Sequence, residues 1–303
     1  MSWLICGTVP DDDFPLCLGT WSVEGERLVP SSVSTCGRDG DVPSVPVNRG
    51  TPALVAAAEL ALEAMGAASP LVLLTGDCGS STGSMKLYEF LSSWLISPAA
   101  ENLGGMTFHY LFPSVDGHNR ILMALEERSG SMPVLIADAG FMYAAKMSGY
   151  ASRYDVFTPD AGELAFLADE KAPHPFYTRG FLLSENNSVE KLAQAAWAHG
   201  DSARILLVKG SADIIMEEGR EVGRVTAPCI PFMEPVGGTG DLVTGLLTAF
   251  AASGRPLAEA CRLSAQCARF VGQLTCPTPA TSIASFMSFV PEGVATVLNN
   301  KQK

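Results

Sequence analysis

The chain has 303 residues, 47% of them hydrophobic and 17% charged, against about 25% charged in an average globular chain, so it can bury a large core. Its net charge of −12, with no Lys or Arg cluster to offset it, argues against nucleic acid or an acidic membrane face as partners. No apolar run approaches the roughly 20 residues that span a bilayer. The eight cysteines are scattered without a C-x-x-C pair for zinc or redox chemistry, as expected of reduced cytoplasmic thiols.

In chain order, Met1 to Gly7 is apolar but lacks a basic leader and a long hydrophobic region, so it reads as a first strand rather than a signal peptide. Residues 11–47, around Trp21-Ser22-Val23-Glu24-Gly25, read either as a small β-excursion or as a mobile loop. A helix follows, with Thr51 as N-cap, Pro52 at its first position, Ala53 to Met65 as body and Gly66 as terminator. Four short runs end abruptly at polar or glycine residues: Leu71 to Leu74, Val134 to Ala137, Asp155 to Phe157 and Ile205 to Val208. Apolar on both faces, they predict buried parallel strands.

Asp213 to Met216 and Glu221 to Val225, separated by Glu217-Glu218-Gly219-Arg220, predict a hairpin at an antiparallel edge. Helices are expected over Pro256 to Gln273 and over Ser282 to Leu298, the second interrupted at Pro291. The alternation predicts an α/β chain: one three-layer α/β/α domain over residues 1–303, with a mostly parallel central sheet.

In such sheets ligands bind beyond the carboxyl ends of the strands, which directs attention to the residues after each run. These are Gly76-Asp77, Asp138, Thr158-Pro159-Asp160-Ala161-Gly162-Glu163, and Lys209-Gly210. Asp77, Asp138 and Asp160 are candidate substrate contacts, Glu163 a candidate magnesium residue, and Lys209 and Gly210 candidates for nucleotide phosphate. Each carboxylate has a plainer reading as a helix cap; Asp160 and Glu163 have the spacing of a capping box. The stretch Gly76 to Ser84 has Ser84 where a Walker A loop needs Lys, so only its backbone amides offer a phosphate cradle. His174-Pro175-Phe176-Tyr177-Thr178-Arg179 reads as a substrate wall or plain surface loop.

The most informative motif is Gly237-Gly238-Thr239-Gly240-Asp241, which opens an apolar helix. Glycines let the backbone approach a ligand, helix N-terminal amides attract an anion, and a carboxylate there can take a proton. An N-cap after a glycine turn is the plainer alternative.

The order strand-Asp138, Thr158-Pro159-x-x-Gly162-Glu163, Val208-Lys209-Gly210, Gly238-Thr239-Gly240-Asp241 resembles the ribokinase-like superfamily. Within it the chain is most similar to the ATP- or ADP-dependent NAD(P)H-hydrate dehydratases, over roughly residues 130 to 275. The resemblance implies a ribokinase-like fold, Asp241 as catalytic base, and Gly238, Thr239 and Gly240 as anion hole with Gly237 beside the phosphates. It also implies ATP or ADP with magnesium as cofactors, and Glu163 organising the metal indirectly. The chain departs from the dehydratases in having Asp160-Ala161 where they carry His-Pro, and Asp138-Ala139-Gly140 where they show Asp-Ala-Asp. The expected reaction is phosphorylation and elimination of the hydroxyl of hydrated NAD(P)H. A small-molecule kinase acting on a sugar, vitamin or nucleoside, and a nucleotide-binding protein without catalysis, stay open, as does a homo-oligomer.

Overall fold

The apolar runs become central strands because alternate side chains enter two separate cores. The computed structural model describes residues 2–35, 41–172 and 188–299. Its strands are β1 (Ser2–Val9), β2 (Cys17–Glu24), β3 (Arg27–Thr35), β4 (Val45–Pro46), β5 (Leu71–Gly76), β6 (Leu103–His109), β7 (Val134–Ala137), β8 (Val156–Phe157), β9 (Ile205–Val208), β10 (Asp213–Glu217) and β11 (Arg220–Val225). They form one sheet in the order β11-β10-β9-β8-β7-β6-β1-β5-β2-β3-β4. From β9 to β5 every neighbouring pair is parallel, and antiparallel strands flank that block at both ends.

The helices are α1 (Thr51–Ala64), α2 (Thr82–Leu95), α3 (Val115–Glu127), α4 (Gly140–Met147), α5 (Ala161–Ala168), α6 (Val189–His199), α7 (Thr239–Ala252), α8 (Leu257–Thr275), α9 (Ile283–Met287) and α10 (Val290–Asn299). On β1, Ile5 joins the core formed with α1 and α7 to α10, while Leu4 and Cys6 join the core formed with α2 to α6. That division is the three-layer arrangement expected from alternating strand and helix. Leu242, Leu246, Leu247 and Phe250 of α7 are fully buried, each contributing about 1.5–3 kcal/mol through the water it sheds. These contacts fix the amino end of α7 against the sheet.

Of the two readings of residues 11–47, the β one describes Cys17–Glu24 and Arg27–Thr35: β2 pairs antiparallel with β5 and β3 with β2, with Trp21 buried between sheet and helices. Other local expectations need revision. Thr51 is the first residue of α1 rather than its cap, because Gly50, at φ 69°, makes the entry turn. The hairpin between β10 and β11 turns on Glu218 and Gly219 alone, both at positive φ, as a two-residue turn requires. The last helical stretch breaks between Met287 and Val290, leaving Pro291 in the first turn of α10, where its missing N–H costs nothing. Among the described residues, Cys6, Cys78, Cys229, Cys261, Cys267 and Cys276 are free. The stretch 174–179 lies outside the described residues. No helix among the described residues is long and apolar enough to cross a membrane.

Candidate active site

Four parallel strands deliver polar residues to one edge. His109 ends β6, Asp138 follows β7, Thr158 follows β8, and Lys209 follows β9. Backbone pairing continues past the strands: Asp138 N–H donates to Phe108 O at 3.0 Å, Thr158 N–H to Ala137 O at 3.3 Å, and Lys209 N–H to Pro159 O at 2.8 Å. The side chains therefore leave a rigid scaffold.

Asp138 is buried, and a buried carboxylate must be matched. Lys209 Nζ reaches both of its oxygens at 3.0 Å, the Thr244 hydroxyl donates to Oδ2 at 2.6 Å, and Ala139 N–H donates to Oδ1 at 2.8 Å. Burial disfavours the Lys209 ammonium, but Asp138, Glu163 and Asp241 outweigh it and raise its pKa. Lys209 also passes beside Gly240, where an added Cβ would lie 3.5 Å from Nζ. Ala139 bends the chain out of β7 at φ 48° and ψ −133°, a region that disfavours any Cβ. Ala139→Gly is expected to stabilise the protein by about 1 kcal/mol in urea or thermal unfolding, and an unchanged or lower stability would contradict the strain.

Asp241 sits in the first turn of α7. Its Oδ1 accepts from His109 Nε2 at 3.1 Å and its Oδ2 accepts from Gly50 N–H at 2.5 Å. Since a carboxylate only accepts, Nε2 carries the hydrogen, and in the neutral ring the Thr51 hydroxyl donates to Nδ1 at 3.1 Å. The same Nε2 is 3.8 Å from Asp138 Oδ2. Burial pushes the Asp241 carboxyl upward, but His109, the Gly50 amide and Lys209 outweigh it, leaving the pKa below the usual carboxylate range. Asp241 is thus held ionised.

The end of α7 is open. Gly238, at φ 102°, is its N-cap and supplies no side chain; the helix's first bond runs from Leu242 N–H to Gly238 O at 2.9 Å. The amides of Thr239, Gly240 and Asp241 therefore precede the ladder and are left for an anion. A Cβ at Gly238 would meet Ile283 at 2.9 Å, so both conformation and space require glycine there. Arg49 is exposed with its stem 4.0 Å from the Cβ position of Gly237, and its guanidinium has no ion-pair partner among the described residues.

Asp160 and Glu163 do form the capping box of α5: Asp160 Oδ1 accepts from Glu163 N–H at 2.8 Å and Glu163 Oε2 from Asp160 N–H at 2.9 Å. Glu163 does more, since the Tyr143 hydroxyl donates to its Oε1 at 3.1 Å. Burial lifts its carboxyl to about 7, with Lys209 opposing and Asp138 and Asp160 adding to the rise. No group of three or more His, Cys, Asp or Glu among the described residues can hold a metal by itself. The side chains fit magnesium only as an ion carried mainly by phosphates and water, with half-buried Glu163 the carboxylate that would gain from a nearby cation.

Asp77 is placed differently from the others. Its Oδ1 accepts from Gly79 and Ser81 N–H at 2.9 and 3.1 Å, and its Oδ2 from Ser84 N–H and the Ser84 hydroxyl at 2.9 and 2.7 Å. Those four bonds outweigh burial and lower its pKa. Asp77, a candidate substrate contact in the sequence, instead turns back to bind the start of α2. Of the amides read as a phosphate cradle, those of Gly79, Ser81 and Ser84 donate to that carboxylate. Gly210 belongs to a separate knot: its N–H donates to Asp213 Oδ1 at 3.2 Å, and its carbonyl accepts from Arg269 at 3.1 Å.

His109, Gly50, Thr51, Thr244 and Arg49 were not among the candidates. Of these, His109 had a readable signal, as a polar residue ending a strand. Gly104-Gly105 and Thr107 interrupt the apolar run that would have revealed β6.

The family model described as NAD(P)H-hydrate dehydratase matches residues 116–284. That span holds Asp138, Glu163, Lys209 and Asp241, but not His109 or Gly50. An uncharacterized protein of Methanocaldococcus jannaschii is 33% identical over 228 residues, covering 75% of this chain and 92% of that protein. The fold is similar to pyridoxal kinase from Lactobacillus plantarum, with a TM-score of 0.57 at 15% identity over 100% of this chain and 98% of that one. Pyridoxal kinase from Staphylococcus aureus in complex with AMP-PCP and pyridoxal gives a TM-score of 0.52 at 13% identity, covering 88% and 86%. The tetrameric inhibited form of phosphofructokinase-2 from Escherichia coli gives 0.53 at 12% identity, covering 97% and 99%.

Proposed function

The chain belongs to the NAD(P)H-hydrate dehydratase family, and from that premise we propose that it uses ATP or ADP to phosphorylate the hydroxyl of a hydrated NADH or NADPH ring and then eliminates the phosphate. The observation that carries the reading is the Asp241 carboxylate, fixed by His109 and Gly50 in the first turn of an uncapped helix.

The transferred phosphoryl group lies over the amides of Thr239, Gly240 and Asp241, which meet its charge without reorganising. Arg49 stands beside Gly237 with a guanidinium suited to the same oxygens. Asp241 accepts the hydroxyl proton as the new O–P bond forms and the bond to the departing nucleotide breaks. Lys209 and Asp138 hold the strand ends and Gly240 in place, with Lys209 facing the phosphates from β9. Magnesium bound with the nucleotide would neutralise phosphate charge, with Glu163 reaching it through water. Cleavage of the C–O bond, with loss of a proton from the neighbouring ring carbon, would restore the reduced nicotinamide and release inorganic phosphate.

Incubation with hydrated NADH, magnesium and ATP or ADP tests the reading. Recovery of the reduced-nicotinamide absorbance with consumption of nucleotide is expected. Consumption only with pyridoxal or a sugar, giving a stable phosphorylated product, would favour a small-molecule kinase, for which Asp160-x-x-Glu163 is the supporting feature. Nucleotide binding without turnover of any acceptor would leave a non-catalytic binding protein.

The role of His109 has its own signature. His109→Leu removes the Nε2–H donor whose hydrogen bond lowers the Asp241 pKa. The acid limb of kcat against pH is therefore expected to move to higher pH, because the base must lose its proton before it acts. An unshifted limb would separate His109 from the base.

A further inference from the structure

Tyr110 follows buried His109 but is itself 52% exposed. Its backbone occupies the left-handed region at φ 50°, a costly position for a bulky residue, and the Thr8 hydroxyl anchors its carbonyl at 2.8 Å. The ring stands at 85° to the His109 ring with centroids 4.4 Å apart, and its Cδ2 is 3.6 Å from the Cβ position of Gly50. An aromatic surface is thus fixed between the imidazole and the glycine that together hold Asp241. The phenol pKa is pushed up to about 12, first by burial and then by Asp241 and Asp138, so its hydroxyl lies within the field of the site's acids.

Strand order gives this surface a direction. Tyr110 and Thr8 extend from β6 and β1, while Lys209 and Gly210 extend from β9, three places along the sheet from β6. With the nucleotide phosphates on the Lys209 side, as the proposed function requires, the acceptor approaches Asp241 from the Tyr110 side. A partly exposed tyrosine packed against His109 offers an apolar face that rewards stacking. A saturated sugar would gain little from it.

Resting on that reading of the site, we infer that Tyr110 is the stacking wall of the acceptor subsite and selects acceptors whose ring keeps a flat conjugated segment, as in a hydrated dihydronicotinamide or a pyridine, over saturated sugars. Tyr110 makes no bond to the migrating group, so it governs acceptor affinity rather than the chemical step.

The test compares wild type, Tyr110→Phe and Tyr110→Leu in equilibrium binding of NADPH and of pyridoxal, each with saturating ADP present so that the nucleotide site is filled. Binding of ADP alone and the unfolding midpoint are measured beside them. For whichever flat probe the wild type binds, Tyr110→Leu is expected to weaken affinity about tenfold and Tyr110→Phe about twofold or less, with ADP affinity unchanged. In turnover the leucine variant raises KM for the acceptor and leaves kcat nearly unaltered. Flat-probe binding by Tyr110→Leu equal to wild type in a folded variant would overturn the inference, as would wild-type turnover confined to a sugar and indifferent to Tyr110. Recovery of NADH from its hydrate with an unchanged KM in Tyr110→Leu would remove the stacking wall and leave the reaction standing. Tyr110-dependent binding of NADPH without recovery from the hydrate would do the reverse.

Discussion

Asp241→Asn is expected to lower kcat by about 10²–10⁴-fold while leaving nucleotide affinity within about threefold, since a positioned base acts in the transition state rather than on bound nucleotide. The substitution is close to isosteric, yet it changes more than proton affinity. Asp241 accepts from two donors, His109 Nε2–H and Gly50 N–H, one on each oxygen. Asparagine accepts through one oxygen only, so one of these donors meets an amide –NH₂. A cost in stability at neutral pH follows as well. The folded pKa of Asp241 lies below its ordinary value, so the carboxylate stabilises the fold above its unfolded pKa, and that stability disappears as pH falls through the folded pKa. The variant should therefore differ from wild type most at neutral pH and converge with it in acid, as unfolding midpoints across pH would record. Undiminished turnover would remove Asp241 from the chemistry.

The largest expected effect on stability lies away from the base. Arg269 of α8 donates from Nε to Asp213 Oδ2 at 2.7 Å, and both side chains are buried. The rest of its guanidinium donates to the carbonyls of Gly210, Ser211, Thr226 and Pro228. It thus ties the loop after Lys209 to the segment leaving β11. Arg269→Leu leaves Asp213 buried without its charge partner and four carbonyls short of a donor, an expected loss of about 3–5 kcal/mol in urea unfolding. Asp213→Asn in the same chain should recover part of it, because the uncompensated charge is then gone. Nucleotide affinity should fall with the single substitution as Lys209 loses its support. A loss under about 1 kcal/mol would show that helix packing, rather than this arginine, holds the loop.

The parallel strands were legible because their residues are apolar on both faces and stop where the sheet ends. Val134–Ala137 and Ile205–Val208 agree with their expected bounds residue for residue. The sequence pattern failed where chemistry interrupts it. β6 lies near the middle of the sheet, but Gly105 packs against Trp3 and the Thr107 hydroxyl accepts from its indole, so small and polar residues occupy positions that periodicity expects to be apolar. With β6 unseen, His109 and Tyr110 went unseen too. β2 and β3 stayed ambiguous because Gly19, Thr20, Ser22, Ser31, Ser32 and Ser34 dilute their alternation, and only the pairing with β5 makes them sheet.

The same limit shaped the candidate site. Asp77 and Asp138 both follow apolar runs, and nothing in spacing distinguishes the carboxylate that turns back onto its own loop from the one that meets a lysine. Thr51 had the look of a helix cap, but the turn was supplied by Gly50, and its hydroxyl was taken by His109. Contacts between residues far apart in sequence, such as Gly50 with Asp241, leave no local trace.

The central claim is that the acceptor hydroxyl becomes a phosphate ester before it leaves the ring. Hydrated NADH carrying a heavy-oxygen label in that hydroxyl, incubated with enzyme, magnesium and nucleotide, tests it through the mass of the inorganic phosphate released. The account predicts one labelled oxygen in each phosphate formed with each NADH recovered; label appearing in water, with phosphate unlabelled, would contradict it.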